Sequence, residues 1–167
     1  MNKARTAIES AIGNNSPVAD MSTSDDMLAM LMRREAYAAR PYQLQDGRGL
    51  TWGYGHKQQL GEVAPDFISR PDAYALLADD VVNRAEKWVK LYVDVELLQN
   101  EFDALVSIAF NMSPQSFKKF AQAVNAGDGI DAIAQRSVTW VNPLYTRGIQ
   151  NRRNEEMRVF NNGIYTV

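Results

Sequence analysis

Glu35 is the residue whose type and place best suit chemistry. Leu28, Leu31, Met32 and Glu35 fall at i, i+3, i+4 and i+7, so a helix through them carries three apolar side chains and one carboxylate on a single face. A carboxylate on an apolar face loses solvent, which favours its protonated form and raises its pKa. A carboxyl that holds its proton near neutral pH can act as a general acid. The same position equally suits a helix-end carboxylate paired with a neighbouring Arg. Nearby, Thr51, Gly53 and Gly55 share one face of a candidate strand that is almost bare of side chains, where a flat polymer could approach the backbone. A Gly-rich turn is the plainer alternative. Trp52, Tyr54 and His56 fall on the opposite face and read as packing, and a lone His supports no metal site. Far along the chain, Ile149, Arg153, Met157 and Phe160 share a helical face with Arg152 beside it. A guanidinium turned inward there needs a carboxylate partner; a surface ion pair with Glu155 or Glu156 is the alternative.

These residues must be positioned by a small set of elements. Thr23 and Asp26 make a candidate capping box for the helix that carries Glu35, and Pro41 ends the helical option by restricting Arg40. A hairpin follows, with residues 42–44 and 50–56 as its arms and Asp46-Gly47 as a turn dipeptide. Ser69, Pro71 and Asp72 start a long helix with a stripe of Tyr74, Leu77, Val81 and Trp88. Further helices carry Leu98, Phe102, Leu105 and Ala109, then residues 116–126 up to Gly127, then a segment leading to Trp140, and finally residues 149–160. The expected fold is α+β: a small β-hairpin lobe joined by a long helix to a mainly helical lobe. Ahead of it, residues 1–13 suit a short amphipathic helix with Ile8 and Ile12 four apart, and 13–26, rich in Asn, Ser, Asp and Thr, read as a linker.

Composition narrows the function classes. The chain of 167 residues is 46% hydrophobic and 23% charged, ordinary for one globular unit. It has no cysteine, which excludes disulfides and thiolate chemistry and fits folding in a reducing cytoplasm. A net charge of −2 argues against nucleic-acid binding driven by phosphate neutralisation. It also gives no overall attraction toward an anionic polymer, so affinity must come from a shaped groove. The first residues show no apolar signal-peptide core, and no stretch approaches the roughly 18 apolar residues of a membrane span. The expectation is a monomer made in the cytoplasm, without membrane insertion, that another system must release or deliver if its substrate lies outside.

Residues 35–56, with Glu35, Tyr42, Asp46, Gly49, Thr51 and Gly53-Tyr54-Gly55-His56, resemble the phage-type lysozymes, a family of glycoside hydrolases. The resemblance continues in order through Gln99-Asn100-Glu101-Phe102-Asp103-Ala104-Leu105, Phe110-Asn111-Met112, Asn125-Ala126-Gly127-Asp128, Trp140 and Asn151-Arg152-Arg153 with Glu155. It implies a polar extension at 1–25 and a lysozyme-like catalytic domain at 26–167. It implies a muramidase that cleaves the β-1,4 bond between N-acetylmuramic acid and N-acetylglucosamine in periplasmic peptidoglycan, without metal or organic cofactor. Glu35 would be the acid, Thr51 would hold the attacking water, and Asp46 would assist from the other face of the sugar. Inverting hydrolysis suits two carboxyl groups roughly 6.5–9.5 Å apart with a water between them. Gly53, Tyr54, Asn111 and Trp140 would contact substrate, Arg152 would pair with Glu35, and His56 with Asp80 would tie hairpin to long helix.

The spacing departs from the family pattern. The interval from Glu35 to Asp46 is two residues longer than usual, and that from Asp46 to Thr51 one shorter; strict counting lands on Leu44. Asp46 is therefore either a catalytic carboxylate or a turn-forming residue before Gly47. A lytic transglycosylase, which needs only one acid, and a non-catalytic wall-binding protein are the rival readings. Were the chain a toxin delivered into rival bacteria, its partner would be an immunity protein that blocks the cleft.

Overall fold

The computed structural model describes residues 14–43 and 49–166. The short helix expected in residues 1–13 and the turn containing Asp46 lie outside the described residues.

Helix α1 (Asp25–Glu35) is capped by Ser24, whose Oγ accepts from Met27 N at 3.2 Å. Thr23, the expected cap, instead donates through its N and Oγ to Glu86 Oε2 at 3.2 and 3.1 Å. Asp25 and Asp26 in the first turn and Arg33 and Arg34 in the last complement the helix dipole. The helix stops at Glu35 because Ala36 takes φ +48°, a left-handed conformation that breaks the backbone ladder. The stretch from Ala38 onward, expected to stay helical up to Pro41, is strand β1 (Ala38–Gln43). Pro41 is tolerated because β1 is an edge strand with an irregular register: Ala38 pairs with Gly53 and Tyr42 with Thr51.

The expected second arm is not one strand. Strand β2 (Leu50–Gly53) ends at Gly53 (φ +62°), the chain turns through Tyr54 and Gly55 (φ +83°), and β3 (His56–Lys57) pairs back antiparallel, giving a three-stranded sheet in the order β1-β2-β3. Trp52 and His56 do meet, but as cross-strand partners with ring centroids 4.8 Å apart.

The long helix forms as expected. Ser69 Oγ accepts from Asp72 N at 3.2 Å, and α2 (Arg70–Asp80) runs through a π turn at Val81–Glu86 into α3 (Lys87–Tyr92). Ala73, Leu77, Val81, Ala85 and Val89 are buried at a constant spacing of four. A regular α-helix would rotate such a stripe steadily off the core; the wider π turn lets it lag back. That is why Trp88, expected on the stripe, is only half-buried.

At the centre lies α4 (Gln99–Asn111), buried on nearly every side, as its sequence of apolar and small residues requires. Glu101 Oε2 accepts from Leu98 N at 2.8 Å at its start. Helices α5 (Pro114–Asn125), α6 (Asp131–Ser137) and α7 (Thr146–Asn162) complete the body, with α7 against α4 and stopped by Gly163 at φ +64°. The α+β arrangement stands: a small sheet packed on α2, and a helical body joined to it by the long helix.

Residues 14–24, expected as a linker, are fastened to the body. Ser16 exchanges two backbone hydrogen bonds with Leu97 (2.9 and 3.0 Å), and Val18 and Met21 are buried. Ser24 Oγ donates to Asp103 Oδ2 at 2.6 Å, and Tyr165 Oη donates to the same oxygen at 2.7 Å. Asp103 thereby ties both ends of the described chain to α4. Burial pushes its carboxyl pKa up, against the donors that would hold it down. Among the described residues no helix is long and apolar enough to cross a membrane.

Candidate active site

Glu35 ends α1 because Ala36 breaks the helix there, and this leaves its side chain at the junction of sheet and body. Arg152 Nη1, from α7, donates to Glu35 Oε1 at 3.0 Å. The Glu35 side chain is 24% exposed, so it faces a cleft rather than the sealed apolar environment its periodicity suggests. Glu35 Oε2 lies toward the β2–β3 turn: a Cβ on Gly55 would come within 3.2 Å of it, and φ +83° already favours glycine there. The expected bare face is thus corrected. Gly55 opens room for Glu35, and Gly53 closes on Ala73, where an added Cβ would sit 3.4 Å from the Ala73 Cβ. Both glycines serve close approach of the protein to itself.

Behind Glu35 stands a charge cluster. Glu156, with no exposed side-chain surface, lies 2.9 Å from Arg153 Nη1 and 3.4 Å from both Arg152 Nε and Arg34 Nη1, and accepts from Ser107 Oγ at 2.7 Å. Arg34 also donates to Glu155 Oε2. Arg34, Arg152 and Arg153 therefore face Glu35, Glu155 and Glu156, with Arg33 joining Glu155 from the exposed side. Burial draws the Arg153 pKa down although Glu156 opposes it. For Glu155, burial pushes the pKa up, but Arg34 and Arg33 outweigh it and hold the group below its ordinary value. The two candidates for an inward arginine paired with Glu35 divide those features between them. Arg153, chosen by periodicity, is inward at 1% exposure; Arg152, chosen by motif, is the partner of Glu35.

Arg153 Nη2 donates to Asn111 Oδ1, which fixes the Asn111 amide and leaves its NH₂ as the free group. Asn111 and Glu35 line one cavity of about 410 Å³, shared with Gly55, Lys57 and Arg84. Glu35, Asn111, Arg152 and Arg153 are thus brought together. Thr51 is buried in the central strand, paired with Tyr42 on one side and Lys57 on the other. Tyr54 is buried beneath the sheet, with its ring 5.6 Å from that of Tyr37 and its hydroxyl accepting from Arg70 Nη1 at 3.4 Å. Trp140 lines a separate cavity of about 520 Å³, edge-on to Phe120, with Lys119 Nζ 4.4 Å above its ring. Of the residues expected to contact substrate, Gly53 and Tyr54 are buried and Trp140 is exposed.

His56 is held at both ring nitrogens: Nδ1 lies 2.8 Å from Asp80 Oδ2, and Nε2 lies 2.9 Å from Glu62 Oε2. Burial draws its pKa down, but the two carboxylates outweigh burial and the net shift is upward. The pairing with Asp80 is as the resemblance implied. Glu62, Lys57, Arg84, Arg34 and the centrality of Glu156 were missed. Arg34, Glu156 and Lys57 had a signal, since each is adjacent to a residue singled out; Glu62, on a loop, had none.

This geometry has relatives. The phage lysozyme family model matches residues 32–156. An endolysin of Acyrthosiphon pisum secondary endosymbiont phage 1 is 31% identical over 69% of this chain and 77% of its own length. The endolysin from Escherichia coli O157:H7 phage FAHEc1 superposes with a TM-score of 0.71 at 26% identity, over 89% of this chain and 98% of that one. The muramidase domain of SpmX from Asticaccaulis excentricus superposes with a TM-score of 0.70 at 28% identity, over 83% of this chain and 97% of that one. The chain spans only 50% of a longer endolysin, from Bacillus phage PZA, to which it is 32% identical. Glu35, its Arg152 partner and the cleft they open onto all lie inside the matched segment, and the chain belongs to the phage lysozyme family.

Proposed function

We propose that the chain is a lysozyme-type peptidoglycan hydrolase that cleaves the β-1,4 bond between N-acetylmuramic acid and N-acetylglucosamine, with Glu35 as general acid, in the service of cell lysis. The observation that carries this is the division of labour on one carboxyl group. Oε1 is held by Arg152 at 3.0 Å, while Oε2 lies beside Gly55 on the cavity side. A proton carried on Oε2 can pass to the leaving glycosidic oxygen, and Arg152 then stabilises the carboxylate that remains. The Asn111 NH₂, fixed by Arg153, offers a donor to a carbonyl of the substrate, such as an acetamido group. The attacking water would be activated from the opposite face of the sugar by Asp46.

The test uses a suspension of purified peptidoglycan. The wild-type chain clears it and releases reducing muramic acid ends; Glu35→Gln, which keeps the hydrogen bond to Arg152 but carries no transferable proton, loses roughly 10²–10⁴ in rate. Mass spectrometry of the products separates hydrolysis from transglycosylation, which leaves anhydro-muramic ends. An active Glu35→Gln, or no clearance by wild type, overturns the proposal.

A further inference from the structure

Arg152 is shared by two carboxylates, and neither holds it fully. Nη1 donates to Glu35 Oε1 at 3.0 Å, and Nε donates to Glu156 Oε1 at 3.4 Å. Nη2 is buried and has no hydrogen-bond partner among the described residues. In a guanidinium, Nη2 forms one edge with Nε and another with Nη1, and a carboxylate grips an edge through two parallel N–H groups. Glu156 therefore takes half of one edge and Glu35 half of the other. The donor that would complete either fork is left between them.

Glu156 is itself held in place. Its Oε1 accepts from Ser107 Oγ at 2.7 Å and lies 3.4 Å from Arg34 Nη1, while Oε2 lies 2.9 Å from Arg153 Nη1. Ser107 is fully buried on α4, among Leu105, Val106, Ile108 and Ala109. A serine inside a helix can satisfy its hydroxyl on the carbonyl one turn back; this one donates to Glu156. A chain of contacts thus runs from the central helix through Glu156 and Arg152 to Glu35.

We infer that Glu156 is a positioning residue for the acid: it restrains Arg152 to a single donor on Glu35, and so extends the pH range over which Glu35 carries a proton to give. The inference rests on the reading of Glu35 as general acid. A guanidinium closed on Glu35 through both Nη groups would favour the ionised carboxylate, which has no proton for the leaving oxygen. Glu156 opposes that closure in two ways. It draws Arg152 to itself, and it places a second negative charge behind the pair. The other charged groups around Glu35 are Lys57 from β3 and Arg84 from the π turn, which line its cavity, with Arg34, Arg153 and Glu155 behind Arg152. Lys57 and Arg84 both favour the carboxylate, so a third cation gripping it fully would add to a bias already present.

The experiment compares wild type, Glu156→Gln, Glu156→Asp and the double variant Arg153→Met/Glu156→Leu. The pH profile of kcat/KM is measured on soluble peptidoglycan fragments. The titration of the Glu35 carboxyl is followed separately by carbon-13 NMR, with Glu35→Gln to assign its signal. In Glu156→Gln the alkaline limb of the profile and the midpoint of the titration should both move down by about one pH unit. Activity on that limb then falls roughly tenfold, and activity at acid pH falls far less. Arg153→Met/Glu156→Leu should move both the same way. It keeps the test open if Glu156→Gln, which leaves the buried Arg153 without its carboxylate, fails to fold. Glu156→Asp retains the charge and should stay close to wild type. A merely structural Glu156 would lower kcat/KM evenly across the pH range and leave both midpoints in place, which overturns the inference; an upward shift overturns it as well. Should wild type prove inactive, the NMR midpoints still decide. A downward shift supports the restraint on Arg152 even with the hydrolytic reading lost, and equal midpoints refute it.

Discussion

Two clusters of charge flank the cleft, and they are built on opposite plans. On the body side, Arg34, Arg152, Arg153, Glu155 and Glu156 form a network whose core is sealed: Glu156 shows no surface and Arg153 shows 1%. On the sheet side, His56 holds Asp80 and Glu62 through one ring, with Glu62 on a loop open to water. The body cluster holds its carboxylates through the fixed fork geometry of three guanidinium groups, and Arg152 of that set holds Glu35. The sheet cluster centres on the one side-chain type that titrates near neutrality, so its strength depends on pH. Burial makes the first cluster costly to break; titration makes the second adjustable.

The largest expected effect comes from opening the sealed cluster. Arg153→Ala removes one guanidinium and leaves the Glu156 carboxylate less compensated in the interior and Asn111 without its donor. A loss of about 3–5 kcal/mol in unfolding free energy is expected, read from denaturant melts. Arg153→Met, which fills the same volume without restoring charge, should recover little, because the uncompensated Glu156 remains. The double variant Arg153→Met/Glu156→Leu should recover much of the loss. Arg152→Ala divides differently. Its side chain is 12% exposed and its main partner is the catalytic candidate, so activity should fall further than stability. If Arg152 and Arg153 variants melted alike and hydrolysed alike, the assignment of holding to one and packing to the other would be wrong.

Which parts of this were readable in the sequence follows the same divide. Periodicity located Glu35 and placed Arg153 inward because both lie on regular helices, where a spacing of 3.6 residues per turn maps sequence to face. The sheet lobe defeated the equivalent rule. Alternation assumes an unbroken strand, and Gly53 and Gly55 at positive φ turn the chain back after four residues. A bare glycine face was therefore read as open to substrate when it is filled by Ala73 and Glu35. Helix α1 was read as too long because its terminator is Ala36, a residue that rarely adopts φ +48° and so carries no stop signal. Arg84 was invisible for a related reason: the π turn shifts the register of the long helix, and no composition signal announces it. Arg152 was recovered only through the motif, since helical phase alone favours its neighbour.

A smaller effect separates the clusters by pH. The folded pKa of His56 lies above its ordinary 6.5. Its contribution to stability is therefore complete below 6.5 and is lost as pH rises through the folded value. For Glu62, burial pushes the pKa up, but Gln59 and His56 outweigh it and lower it from 4.5. Its contribution is present above 4.5 and is lost as pH falls through the lower folded value. The latch should hold best between these limits. Urea melts at pH 6 and pH 9 should show the wild type weakening at the higher pH by on the order of 1 kcal/mol, as for a partly shielded ion pair. His56→Gln should be less stable at pH 6 and should lose much of that difference. A wild type that grew more stable from pH 6 to pH 9, with His56→Gln following it in parallel, would exclude His56 as the titrating latch.

The smallest effect is the sharpest test of burial as the deciding variable. Arg33 and Arg34 are neighbours on α1 and donate to the same atom, Glu155 Oε2. They differ in environment: the Arg33 side chain is 41% exposed, that of Arg34 only 8%. Arg33 also donates through Nε to Thr166 O at 3.1 Å, a bond that water can replace. Arg33→Ala should therefore cost about 0–1 kcal/mol, and less in high salt, because solvent screens an exposed pair. Arg34→Ala should cost several times as much, on the order of 3 kcal/mol, since it strips a donor from Glu155, Ser107 and the sealed Glu156 together. Salt should barely alter that figure. The two variants remove the same chemical group from the same helix turn, so a common partner and a common charge cancel in the comparison. Equal losses for Arg33 and Arg34, or equal salt sensitivity, would mean that pairing rather than desolvation governs the cluster, and the distinction between its sealed core and its rim would fall.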